Sequence, residues 1–113
     1  MEIWHNPRCK KSRETLKRIE NAGYTPQIRK YLEHPPSERE LSQVVKLLDI
    51  KAEDLVRKTE KIYKDEFKGM DFSGHEWITI MTKNPKLIER PLVIDDNRAI
   101  IGRPPENVDA LLR

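Results

Sequence analysis

The chain has 113 residues, 36% of them hydrophobic and 36% charged, which is enough for one small domain with a modest core. The net charge of +3 comes from interspersed residues of both signs. No five like charges are adjacent, which argues against nucleic-acid binding. The single cysteine excludes an internal disulfide, and no apolar run approaches the length of a membrane span or a signal peptide. We therefore expect a cytoplasmic protein that does not associate with membranes.

The first thirty residues predict a β-α-β unit. Residues 1–5 form a short strand that stops before Pro7, a turn signal. A helix begins at Cys9, shows apolar residues at helical spacing, and ends at Gly23. Residues 25–31 then predict a second strand. The proline near the start of this strand does not argue against it, because a missing N–H is tolerated there.

The middle of the chain, roughly residues 37–83, predicts a helical insertion. Two capping boxes, each a serine followed three residues later by a glutamate, begin helices at Ser37 and Ser73. Between these helices we predict a short helical turn over residues 51–57 and a helix or surface loop over residues 58–72.

The last part of the chain predicts a β-hairpin and a closing helix. Apolar runs at 92–94 and 99–101 flank a polar turn at 95–98. Apolar residues between 108 and 112 indicate the helix. The order β-α-β, helical insertion, β-β-α is the plan of a thioredoxin-like α/β domain, and we expect one such domain over residues 1–113.

Cys9 stands in the segment HNPRCKKSR, where the first strand has ended and the first helix begins. Free N–H groups at a helix N-terminus stabilise a thiolate and lower its pKa. Ser12 can direct its hydroxyl and its N–H toward the sulfur, and four cationic neighbours favour the same ionisation: Arg8, Lys10, Lys11 and Arg13. The alternative, a small buried structural cysteine, is the commoner fate of a lone cysteine, but charged residues and a proline do not suit a core position.

The same helix start is suited to bind a tetrahedral oxyanion. Such anions usually need arginine side chains from elsewhere, because a planar guanidinium donates two parallel hydrogen bonds. Arg57, Arg90 and Arg103 are the candidates, and the last two each precede a proline at a predicted strand boundary. For each arginine the alternative is a solvated side chain. The pattern alone does not predict a cis bond at Pro91.

The three histidines do not predict a metal site, because they are scattered and only one cysteine could join them. His5 is equally well interpreted as a buried core residue. His34 and His75 are expected at the surface. We therefore expect no bound metal.

The sequence resembles the glutaredoxin-linked arsenate reductase family and the small regulators that share its fold. The similarity covers nearly the whole chain, and the opening segment together with the two Arg-Pro pairs is its most specific part. The matching segments are HNPRCKKSR, YLEHPPSERELSQVVKLL, LVRKT, IERPLVI and IGRPPENV.

The resemblance implies a role for each candidate residue. Cys9 would be the nucleophile that attacks arsenate, and Pro91 would be cis and face the cysteine. His5 and Ser12 would tune the thiolate. The arginines that bind the anion would be Arg57, Arg90 and Arg103.

The resemblance further implies reduction of arsenate to arsenite with glutathione as co-substrate and a glutaredoxin as partner, without a bound cofactor. The lone cysteine supports this route independently, because an enzyme without a second thiol cannot resolve its own adduct into an internal disulfide. We also expect a monomer.

Two other functions stay open. One is a regulator that binds RNA polymerase; its redox-sensing forms carry C-x-x-C at this turn, whereas Ser12 holds the fourth position here. The other is a monothiol reductase that acts on glutathione mixed disulfides.

Overall fold

A four-stranded sheet brings the first and last parts of the chain together. The computed structural model describes residues 1–112. The strands lie in the order β2-β1-β3-β4, with β2 parallel to β1 and the other two pairs antiparallel. This is a thioredoxin-like sheet, so the predicted fold class is confirmed. The strands are β1 (Glu2–Trp4), β2 (Gln27–Arg29), β3 (Leu92–Asp95) and β4 (Arg98–Ile101).

The first of two structural units contains this sheet and spans Met1–His34 together with the chain from Arg90 onward. Helix α1 (Lys10–Asn21) connects the two parallel strands, and a 3₁₀ helix (Pro105–Leu111) takes the place of the predicted closing helix. The core is formed by apolar side chains from the strands and both helices, which exclude water from one another. The fully or almost fully buried members are Ile3, Ile19, Val93, Val108 and Leu111.

The hairpin between β3 and β4 is tighter than predicted. Asp95 pairs with Arg98 as the last rung of the ladder, so that only Asp96 and Asn97 form the turn. Asp96 has a φ of 53°, a left-handed conformation that aspartate tolerates and that two-residue hairpin turns require.

The second unit spans Pro35–Glu89, somewhat more than the helical insertion predicted at 37–83. Its main helices are α2 (Glu38–Leu48) and α3 (Gly74–Lys83). Both predicted capping boxes are present: the hydroxyls of Ser37 and Ser73 each accept the N–H three residues on, and the glutamate there accepts the serine N–H. Within residues 1–112, no helix combines the length and the apolar character needed to cross a bilayer.

The segment between α2 and α3 contains two short helical turns. The turn predicted at 51–57 is a 3₁₀ helix (Ala52–Leu55), and a π-helical turn (Tyr63–Phe67) lies within the stretch predicted as helix or loop. Aromatic rings from this stretch pack on Trp77 of α3, with Phe72 at a centroid distance of 5.0 Å. These contacts explain why a highly charged segment is held in place.

Gly102 closes the end of β4 against α1. Its carbonyl accepts a hydrogen bond from the Thr15 hydroxyl (3.1 Å), and its N–H donates to the Pro91 carbonyl (2.8 Å). A Cβ at this position would lie 2.8 Å from two Thr15 side-chain atoms and 2.9 Å from the Pro91 ring. Only glycine therefore allows β4 to approach this closely, immediately before Arg103.

We expect Gly102→Ala to lower the free energy of unfolding by about 1–3 kcal/mol, because neither Thr15 nor Pro91 can move away without disturbing the core. Gly74→Ala is the matched control, since a Cβ there meets no atom within 4 Å. The control should leave stability unchanged or raise it by up to about 1 kcal/mol. Denaturant unfolding of the three proteins measures both changes, and equal stabilities for Gly102→Ala and wild type would contradict the close approach.

Candidate active site

Asn6 fixes the loop that leads into α1. Its side-chain Oδ1 accepts the N–H of Arg8 (3.0 Å), and its carbonyl accepts the N–H of Cys9 (3.0 Å). Its own N–H donates to the hydroxyl of Ser12 (3.1 Å). Cys9 consequently becomes the N-cap of α1 with an extended backbone, the conformation that precedes a first helical turn.

The Cys9 sulfur is partly exposed and surrounded by hydrogen-bond donors. Nη2 of Arg103 lies 3.5 Å from Sγ. Burial of the sulfur raises the pKa of the thiol, but stabilisation of the thiolate by the N–H of Ser12, the Arg90 side chain and the N–H of Lys11 brings the pKa below its ordinary value. The interpretation of Cys9 as a buried structural residue is therefore wrong.

Two arginines reach this site from opposite ends of the hairpin. Arg90 precedes β3 and Arg103 follows β4, and Nε of Arg103 donates to the Arg90 carbonyl (3.4 Å). Within residues 1–112, no carboxylate forms an ion pair with Arg103, so its charge is available to an anion. Cys9, Arg90 and Arg103 are thus brought together, as the sequence predicted.

Both Arg-Pro bonds are cis. The resemblance implied the cis bond at Pro91, whereas the cis bond at Pro104 was not predicted. In the sequence, the loops before β3 and after β4 have the Arg-Pro pair in common, and this pair was the signal that could have suggested the same bond geometry in both.

The hydroxyl of Ser12 is directed toward His5 and Asn6, contrary to the expectation that it turns toward the sulfur. It is fully buried between His5 Nδ1, at 2.6 Å, and the N–H of Asn6. Only the backbone N–H of Ser12 reaches Cys9. The serine side chain thus holds the loop and the helix together, while its backbone acts on the thiolate.

His5 is buried, which agrees with the core interpretation, and its ring is hydrogen-bonded to the Ser12 hydroxyl. Burial lowers the pKa of the imidazole, and the charges of Lys30 and Arg13 lower it further against the opposing charge of Glu20. The ring is therefore neutral at pH 7 and accepts or donates a single hydrogen bond at Nδ1.

The cationic neighbours of Cys9 contribute less charge than predicted. The ammonium groups of Lys10 and Lys11 lie 4.0 and 3.7 Å from Glu14, which neutralises them in part. Arg13 donates to the Pro7 carbonyl (2.9 Å), so it holds the loop and does not serve as a donor to the sulfur. Lys10 and Lys11 find a carboxylate one turn further along α1, whereas Arg13 reaches back to the loop before the helix.

Arg57 belongs to the second unit, where carboxylates already surround it. Its guanidinium lies 3.3 Å from Glu60 and 3.7 Å from Glu89. Its N–H donates to the Leu87 carbonyl (2.6 Å). Its predicted role in anion binding stays a prediction.

Sequence reasoning missed two residues that position the site, Asn6 and Gly102. The Asn-Pro turn was noticed only as a strand stop, and the glycine only as a break before Arg103. Their importance lies in contacts to Ser12, Thr15 and Pro91, which a pattern along the chain does not encode.

The site defines a class of protein: a thioredoxin-like unit with a lone, partly exposed cysteine beside two arginines. The ArsC family model matches residues 4–111, and the chain belongs to the ArsC family. An Escherichia coli protein named YfgD is 42% identical over 110 residues, covering 96% of this chain and 92% of its own length. An arsenate reductase of Haemophilus influenzae is 41% identical, covering 97% of each chain.

Solved structures agree with this assignment. The structure of an arsenate reductase from Vibrio cholerae is 42% identical and superposes with a TM-score of 0.94, over 98% of this chain and 96% of that one. A structure of an ArsC-related protein from Bacteroides fragilis, only 22% identical, has a TM-score of 0.86 and shows the same fold.

We expect Arg90→Gln to raise the pKa of the Cys9 thiol, because a charged donor to the thiolate is lost while the cost of burial remains. The pH dependence of alkylation by iodoacetamide measures this pKa, since only the thiolate reacts. In wild type the rate should reach its plateau at a lower pH than in Arg90→Gln. Lys17→Gln, which removes one exposed positive charge from α1, is the control. Identical profiles for wild type and Arg90→Gln would contradict the assignment.

We expect wild-type stability to fall as the pH drops below about 6.5, because the unfolded chain then protonates His5 while the folded chain resists protonation. Well above that pH, His5 is neutral in both the folded and the unfolded chain, and its protonation no longer lowers the free energy of unfolding. In His5→Gln this part of the pH dependence should disappear, whatever the variant's stability at neutral pH. His34 and His75 are exposed and present in both proteins. Urea unfolding at about pH 7.5 and about pH 5.5 measures the difference, and equal losses in both proteins would refute it.

Proposed function

We propose that this protein reduces arsenate to arsenite, with the Cys9 thiolate as nucleophile and with glutathione and a glutaredoxin as thiol donors. The observation that carries the proposal is the pair of guanidinium groups at the sulfur: Arg103 at 3.5 Å and Arg90 as a hydrogen-bond donor. A thiolate attacks an anion only if the anion's charge is neutralised, and two arginines supply that neutralisation. Membership of a family whose relatives are named arsenate reductases supports arsenate as the anion.

The first step is a displacement at arsenic. The sulfur of Cys9 forms a bond to arsenic, and one arsenate oxygen takes up a proton and leaves as water. Arg90 and Arg103 stabilise the remaining oxygens, and the N–H groups at the start of α1 lie close enough to assist. Arg57 is proposed as a third arginine for the same anion, on the basis of the resemblance alone.

Two electrons must then reach the arsenic, and Cys9 cannot supply them alone. The chain has no second cysteine. Glutathione attacks the adduct at arsenic and displaces a second oxygen as water. A glutaredoxin thiol then attacks the glutathione sulfur and forms a mixed disulfide with it. The bond between the glutathione sulfur and arsenic breaks, and its electron pair stays on the arsenic, which becomes trivalent. Hydrolysis releases arsenite and returns Cys9 as the thiol.

These donors define the setting of the proposed reaction. Glutathione and glutaredoxins work in a reducing compartment, which supports the expected cytoplasmic location. Glutathione is consumed as a co-substrate, so no bound cofactor is required. We expect the protein to act as a monomer, because the proposed steps need the site of one chain only.

The two other functions can be separated from arsenate reduction by assay. A lone reactive thiolate also suits a monothiol reductase, which would turn over a glutathionylated peptide faster than arsenate. A polymerase-binding regulator would be retained on immobilised RNA polymerase. Arg103, which forms no ion pair with a carboxylate among residues 1–112, favours arsenate over both, because neither alternative requires an oxyanion site.

We expect Cys9→Ser to abolish glutathione-dependent arsenate reduction, by at least about 1,000-fold, because a hydroxyl at this position is not ionised. Arg103→Gln should lower kcat/KM for arsenate by about 10-fold to 100-fold, since a charged bond to the anion is lost. The exposed Arg39 provides the control Arg39→Gln, which should match wild type. Arsenite production by the purified proteins measures all four, and turnover that persists in Cys9→Ser would rule out the mechanism.

A further inference from the structure

A pocket of about 320 Å³ lies beside the loop that carries Cys9. One wall is formed by the end of β1 and the loop before the cysteine, including His5 and Arg8. The other wall is formed by the turn after β2, with Lys30, Leu32 and Glu33. Its volume falls within the range of small-molecule sites, about 300–1,000 Å³.

The pocket contains charges that the protein itself does not neutralise. Among residues 1–112, neither Arg8 nor Lys30 forms an ion pair with a carboxylate, and Glu33 has no cationic partner. Lys30 itself lines the pocket, and its charge lowers the pKa of the buried ring of His5, which lines it too. Two cations and one carboxylate around one pocket are complementary to a ligand with two carboxylates and one ammonium group.

The pocket is also close to the nucleophile along the chain. Arg8 directly precedes Cys9, and neighbouring Cα atoms lie about 3.8 Å apart. The hydrogen bond from the Cys9 N–H to the Asn6 carbonyl keeps this short loop folded. The pocket therefore ends one residue before the nucleophile, at Arg8.

We propose that this pocket binds the thiol co-substrate by its charged ends: Arg8 and Lys30 bind the two carboxylates of glutathione, and Glu33 binds its ammonium group. The identity of the thiol rests on the function proposed above. The exposed side chain of Leu32 supplies an apolar surface for the methylene groups between the charges. Glutathione carries its thiol between its two carboxylates, so anchoring both ends leaves the sulfur free to attack the arsenic on Cys9.

The double variant R8Q/K30Q tests the assignment. The KM for glutathione should rise about fivefold to tenfold, because two exposed charge pairs are lost. With 2-mercaptoethanol, a thiol without carboxylates, R8Q/K30Q should differ from wild type far less than it does with glutathione, and any loss common to both thiols reports a change at Cys9 itself. The control K17Q/R39Q removes the same net charge from exposed positions elsewhere. A glutathione KM that is unchanged in R8Q/K30Q, or raised equally in the control, would overturn the proposal.

A binding measurement separates this inference from the proposed function. S-methylglutathione keeps every charge but cannot react, so its titration into wild-type protein, followed by NMR, requires no arsenate chemistry. We expect shifts at the pocket residues and weaker binding to R8Q/K30Q. Binding without any arsenate turnover would refute the proposed function and support the pocket. Arsenate turnover without binding at millimolar concentrations would support the function and overturn the pocket.

Discussion

The ionisation of one sulfur atom is the constraint on which this site depends. Burial of Cys9 disfavours its charge, and the surrounding donors must more than compensate for that cost. The compensation comes from two sources of different kinds: backbone N–H groups at the start of α1, and the side chain of Arg90. Removing either source would raise the pKa of the thiol and lower the fraction present as reactive thiolate.

The rest of the first unit can be understood as the means of holding these donors in place. Asn6 folds the loop so that Cys9 becomes the N-cap, and the buried pair of His5 and Ser12 ties that loop to α1. On the other side, the bare backbone of Gly102 lets the end of β4 approach α1 and brings Arg103 to the sulfur. Polar groups buried in this way are stable only because each has a partner.

Much of this arrangement could be predicted from local sequence. The capping boxes at Ser37 and Ser73 involve residues only three positions apart, so the pattern and the contact coincide. The order of strands and helices followed from alternating apolar runs, and Cys9 at the start of α1 followed from the turn before it. The Arg-Pro pairs at 90 and 103 drew attention because such pairs occur at strand boundaries.

The sequence could not predict which of several possible hydrogen-bond or ion-pair partners a polar side chain would contact. From the sequence, the Ser12 hydroxyl could form a hydrogen bond with the sulfur or with His5, and in the structure it bonds His5. Lys10 and Lys11 could face the thiolate or Glu14, and their ion pairs with Glu14 took precedence. Arg57 lies near two carboxylates, Glu60 and Glu89. Glu89 is far from it in sequence, and Glu60 belongs to no motif that predicts an ion pair. Each outcome depends on three-dimensional distances, which spacing along the chain does not determine.

The most direct test of the central claim asks whether the thiolate and an oxyanion occupy one site. Alkylation of Cys9 by iodoacetamide would be followed at neutral pH with increasing arsenate and without any thiol donor. The account predicts saturable protection by arsenate, little protection by chloride at equal ionic strength, and loss of the arsenate effect in Arg103→Gln. Equal rates with and without arsenate, or equal protection by both anions, would contradict it.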